Sequence, residues 1–118
     1  MKAVIHYVFA AALLAFVVSC GLPGVTNAPP AQERHFTIKV TGKTADVTHL
    51  TAYDGDTLTI TVCADKSEEI HMHGYDKHFF PAPGKPAAMS FKANLTGTFE
   101  YEIEASSTPL GNLVVNPR

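Results

Sequence analysis

The chain has 118 residues, with 9 Lys and Arg against 11 Asp and Glu and a formal net charge of −2. The charges are scattered in sign, so no basic patch argues for nucleic acid, and that class of partner is excluded. Length and composition suit one small domain with a single core, not two.

The chain opens on MKAVIHYVFAAALLAFVVSC, a short start carrying Lys2 followed by an apolar run and small residues. The run is too short and too poorly flanked for a dedicated membrane span and reads as an export signal over 1–19. Its ending, Val17 to Cys20, resembles the lipobox of bacterial lipoproteins. The resemblance implies acylation of Cys20, a lipid anchor in the membrane and a place in the cell envelope, outside the cytoplasm. The alternative is an ordinary signal cut nearby, with Cys20 incidental. Residues 20–33 are rich in Gly, Pro, Ala and polar side chains without apolar periodicity and read as a flexible tether. With Cys20 lipidated, only Cys63 remains, and the domain has no intramolecular disulfide.

From Arg34 to Arg118 the pattern is that of short strands between turn signals, with no sustained helical period. HFTIKVTG alternates Phe36, Ile38 and Val40 against Thr37, Lys39 and Thr41. VTHLTAY predicts a second strand and Asp54 to Asp56 a turn. In TLTITVCAD, Leu58, Ile60 and Val62 alternate with Thr57, Thr59, Thr61 and Cys63, as in a half-buried strand. EIHMHGYD is read as another strand. Pro81 to Pro86 is read as a loop, because its prolines cannot donate to a ladder. AMSFKAN and TFEYEIE follow, Glu104 to Asn112 is read as a loop, and the chain closes on GNLVVNP. Short strands spaced by about 8–12 residues predict an all-β, two-sheet antiparallel Greek-key sandwich.

The succession DGDTLTITV, EEIHMHGYD, PGKPAAMSFKANLTGTFEYEIE and LGNLVVNP resembles the cupredoxin-like domains of exported bacterial proteins, over essentially all of residues 34–118. The resemblance implies a cupredoxin-like fold and a role in handling a transition metal, copper above others. It also sets a pattern that this chain breaks. Blue-copper cupredoxins take a Cys-His-Met set from the loop before the last strand, where thiolate, imidazoles and an axial thioether tune a copper redox couple. Glu104 to Asn112 carries no Cys, His or Met. Electron transfer at a blue-copper centre is therefore the least favoured reading.

The residues that invite metal are His71 and His73. On a strand, side chains two apart share a face, so the pair would form a two-imidazole chelate suited to Cu(II), Zn, Ni or Fe. His78, in what is read as the following loop, completes the expected metal set of His71, His73 and His78. Asp76, Glu104 and His49 are further candidates for a third ligand. The structural alternative needs no metal, with the histidines hydrogen-bonded to carboxylates such as Asp65, Glu68 or Glu69. Met72 and Met89 fit the core pattern better than a soft copper site. Phe79 and Phe80 cannot both point inward if the proline loop after them is extended, which suggests a docking edge for an envelope protein partner; the alternative is that they cap the open end of the sandwich. No Ser-His-Asp order, phosphate loop or paired-carboxylate site argues for catalysis, and the chain is expected not to be an enzyme.

Overall fold

The computed structural model describes residues 28–118. The export signal over 1–19, the acylation of Cys20 and the start of the tether lie outside the described residues. Among the described residues, nine strands pack as a sandwich: β1 (Glu33–Thr41), β2 (Thr44–Ala45), β3 (His49–Tyr53), β4 (Thr57–Ala64), β5 (Ile70–Met72), β6 (Lys77–Phe79), β7 (Ala87–Lys92), β8 (Gly97–Ile103) and β9 (Thr108–Asn116). A 3-10 turn, Glu104–Ser106, joins β8 to β9.

One sheet has the order β2-β1-β4-β7 and the other β3-β9-β8-β5-β6. Both sheets are mixed, which departs from the wholly antiparallel expectation: β1 runs parallel to β4, and β3 parallel to β9. Each parallel pair joins strands that are not consecutive in the chain, and no local alternation pattern encodes such a crossing. The core forms where the inner faces meet. Leu58, Ile60 and Val62 of β4 have no exposed surface, as their alternation with threonines requires. Against them lie Leu50, Ile70, Met72, Phe79, Tyr101, Ile103, Leu113 and Val115 from the other sheet.

Three local readings need correction. EIHMHGYD is a three-residue strand followed by a turn, because Gly74 at φ 77° and Asp76 at φ 51° take left-handed conformations that end a ladder. His78 is a strand residue in β6, not a loop residue. Much of Glu104 to Asn112 is strand, since β9 already begins at Thr108. A register shift hid it: Tyr101 pairs with Gly111 but Glu102 with Pro109, so Leu110 is an extra residue and the apolar alternation breaks between Leu110 and Leu113. Gly111 is needed there for a separate reason, because a Cβ on it would collide with the Tyr101 hydroxyl and the Thr48 carbonyl. That hydroxyl donates to the Val47 carbonyl at 2.6 Å, tying the core side of β8 to the approach to β3.

The N-terminal approach and the C-terminus meet at one buried carboxylate. Asp56, with no exposed surface, accepts from Arg34 Nε at 2.5 Å, from Arg118 Nη2, and from the backbone N–H groups of Gln32 at 2.9 Å and Tyr53 at 3.0 Å. Burial alone pushes this carboxyl up. The Arg34 hydrogen bond and the two backbone donors outweigh it and hold the group at about 2, below its ordinary 3.8.

Candidate metal centre

The outer face of the second sheet carries the histidines. Ile70 and Met72 are buried, so the intervening His71 points outward. β5 lies between β6 and β8, and His71 is directly opposite His78 on one side and Glu102 on the other. Directly opposed side chains on one face have Cβ atoms about 4.5–5.5 Å apart, so the ladder itself sets imidazole beside imidazole and beside carboxylate.

His73 lies just past the end of β5, yet its N–H still donates to the Glu100 carbonyl at 2.9 Å, and its ring stays on the same side as His71. The His71 and His78 rings stack with centroids 4.2 Å apart and planes 11° from parallel. The His71 and His73 rings are 4.5 Å apart and tilted by 43°.

The turn Gly74–Asp76 locks this arrangement. Gly74 passes so close to the Phe99 ring that a Cβ would enter it. Tyr75 packs on Phe91 and Phe99, and its hydroxyl donates to the Leu95 carbonyl at 2.6 Å while accepting from the Leu95 N–H at 3.0 Å. With the turn pinned on both sides, Asp76 brings one carboxylate oxygen to 3.3 Å from His71 Nε2 and 3.0 Å from His78 Nε2.

Each ring has a carboxylate. His71 Nδ1 lies 3.0 Å from Glu104 Oε2, His73 Nε2 lies 3.0 Å from Glu102 Oε1, and His78 Nδ1 lies 2.8 Å from Glu69 Oε1. Glu69, then Asp76, accepts from the His78 ring, and together they raise its pKa above the ordinary 6.5. The Asp76 carboxyl is lowered in turn, first by the hydrogen bond from His78 and then by that from His71. His71 is the most shielded of the three rings at 15 % side-chain exposure, whereas Asp76 is 84 % exposed.

Two groups of donors have ligand atoms within 4.8 Å of one another: His71, Asp76 and His78, and His71, His73 and Glu102. Among the described residues no such group contains all three histidines. Of the other sequence candidates, Asp76 and Glu104 are in the cluster. His49 is not, because β9 and β8 separate β3 from β5, a gap of three strand spacings or roughly 14 Å. Of the proposed structural carboxylates, Glu69 reaches His78, while Asp65 instead accepts from the Gly42 N–H on the other sheet. Glu102 is the residue that the sequence reading missed. Its signal was the alternation within TFEYEIE, which places Glu102 on the face opposite the buried Tyr101 and Ile103.

The donors are imidazole nitrogens and carboxylate oxygens. Cys63 lies half-buried on the outer face of the other sheet, and Met72 points into the core, so neither brings sulfur to the cluster. Such a set fits Cu(II), Zn, Ni or Fe(II), the two-histidine, one-carboxylate composition of each group being one that iron also takes.

No family model matches the chain, and no curated protein does. Solved structures do match. A laccase from Botrytis aclada aligns at 22 % identity over 75 % of this chain and 23 % of its own, with a TM-score of 0.59. A copper binding protein solved in its apo form aligns at 10 % identity over 75 % of this chain and 93 % of its own, with a TM-score of 0.60. A chain from a heme-copper terminal oxidase dimer aligns at 18 % identity over 86 % of this chain and 84 % of its own, with a TM-score of 0.57. The chain thus spans about a quarter of the laccase but most of the other two. The shared fold is the cupredoxin-like β-sandwich.

Proposed function

We propose that this cupredoxin-like domain binds a transition metal ion, copper(II), at the cluster centred on His71, and that it serves metal handling in the cell envelope, on a lipid anchor at Cys20, without turning over a substrate. The observation that carries this reading is the convergence of His71, His73 and His78 with Asp76 and Glu102 on one sheet face. Copper(II) heads the affinity order for divalent first-row ions at nitrogen and oxygen donors, which favours it over zinc or nickel at equal supply. The neighbours that share the fold include a copper binding protein and a laccase, which supports the same choice.

The absence of Cys, His and Met from Glu104 to Asn112 argues against a blue-copper electron carrier. Titrating the purified chain with Cu(II) should therefore show saturable binding with only weak visible absorption. An intense blue band lost in Cys63→Ser would overturn both the ligand assignment and the placing of Cys63. For the anchor, Cys20→Ser is expected to move the protein from the membrane fraction to the soluble fraction. Unchanged membrane retention in that variant would reject the anchor.

A second reading is a metal-free module that docks on an envelope protein. The exposure of Phe80, 67 % against 2 % for its neighbour Phe79, favours it. Phe80, Pro81 and Ala82 line a groove with Glu68 and Glu69, close to His78. Failure of the chain to bind Cu(II), Zn(II) or Ni(II) at neutral pH would select this reading over the first.

A further inference from the structure

We propose that the cluster is a two-ion centre, in which one metal ion on the β6 side uses His78 and Asp76, a second on the β8 side uses His73 and Glu102, and the His71 ring is shared between them. This rests on the metal-binding reading and adds its stoichiometry and its bridging residue.

The position of His71 is the first reason. It lies on the middle strand of three, with His78 opposite on β6 and Glu102 opposite on β8. Both donor groups whose ligand atoms come within 4.8 Å include it, whereas His73 and His78 fall in different groups. An ion with bonds of about 2 Å cannot span ligands much more than about 4 Å apart, and with the side chains as they stand no single set of close donors holds both His73 and His78.

The two ring nitrogens of His71 supply the second reason. Nε2 lies 3.3 Å from Asp76, the carboxylate of the β6 side, and Nδ1 lies 3.0 Å from Glu104, which belongs to neither donor group, so each nitrogen faces a carboxylate of its own. An imidazole that presents its two nitrogens to two carboxylates can present them to two cations. When the second ion binds, the ring proton of neutral His71 leaves to solvent and the ring lone pair takes its place at the ion.

Charge is the third reason, because two divalent cations in adjacent sites repel. Glu69, Asp76, Glu102 and Glu104 each lie within hydrogen-bond distance of at least one of the three rings, and their four negative charges, with the one on the deprotonated His71 ring, more than offset the four positive charges of two such ions. No Lys or Arg contributes an ion pair to the group among the described residues.

The test is native mass spectrometry of the full chain in detergent titrated with Cu(II), run beside electron paramagnetic resonance of the same samples. Wild type should saturate at two copper ions per chain, and its integrated resonance signal should rise with the first equivalent and fall with the second, as two Cu(II) ions couple through the shared ring. His78→Ala and Glu102→Gln should each drop the content from two to one and restore an uncoupled signal. Circular dichroism confirms that these outward-facing variants keep the fold. Saturation at one ion in wild type would overturn the two-ion centre while leaving metal binding intact. A second equivalent that simply doubles the signal would overturn the shared ring, and no copper binding at all would remove both proposals.

Discussion

Replacing His71 with alanine is expected to weaken Cu(II) binding by more than about 100-fold, the largest effect of any single histidine. Loss of a residue that merely supports a ligand costs about 10–100-fold in metal affinity, and His71 belongs to both donor groups. It is also the least exposed ring of the three, so solvent cannot readily supply a replacement at the same place. His35→Ala and His49→Ala, both on exposed positions away from the cluster, should leave affinity unchanged.

Protons compete for the same nitrogens. An ordinary imidazole titrates near about 6.5, so affinity should fall as the medium goes from about pH 7.5 to 5.5. The pKa of His78 is raised, because Glu69 and Asp76 accept from the protonated ring. Its share of the loss should accordingly begin at a higher pH than that of an ordinary histidine, and Glu69→Gln should move that onset down. Calorimetric titration across this range checks both statements. Equal affinity in wild type and His71→Ala would show that copper, if bound, sits elsewhere.

The second large effect is on stability. Asp56→Ala removes the carboxylate that Arg34, Arg118 and the backbone donors of Gln32 and Tyr53 all share. Breaking a buried ion pair by deleting one partner costs roughly 3–5 kcal/mol, because the remaining charges lose their counterion. For a domain of this size that should lower Tm by more than about 10 °C.

Acid should expose the same interaction in the wild type. The carboxyl sits at about 2 in the folded chain against an ordinary 3.8, so its contribution is complete above 3.8 and is lost as pH falls through about 2. Urea unfolding of the wild type should therefore show stability declining over that window, and the Asp56→Ala variant should show a shallower decline. A variant within about 1 kcal/mol of wild type at neutral pH would mean that the two arginines find other partners.

How much of this was legible in the residues differs from element to element. β4 was readable outright, since Leu58, Ile60 and Val62 alternate with threonines and every inward side chain is buried. β9 was half hidden, because a bulge at Leu110 breaks the period that marks a strand. In the EIHMHGYD stretch, the outward face of His71 followed from the buried Ile70 and Met72 on either side, but the stretch does not remain a strand as far as His78. Gly74 and Asp76 instead turn the chain, and His78 returns on the neighbouring strand beside His71.

By itself the sequence determined what local periodicity can carry: an all-β domain, the inward residues of its main strands, the outward face of His71, and the lack of Cys, His and Met in Glu104 to Asn112. It also indicated that Phe79 and Phe80 do not both point inward, and Phe80 is the exposed one. Only the tertiary structure decided which strands are neighbours. The order β8-β5-β6 brings Glu102 and His78 to opposite sides of His71, and the crossing that sets β1 beside β4 lets Arg34 meet Asp56. Alternation along a strand fixes which face a side chain takes, because the backbone repeats every two residues. Pairing between strands is a contest among whole edges for buried area and hydrogen bonds, and no single segment contains its outcome.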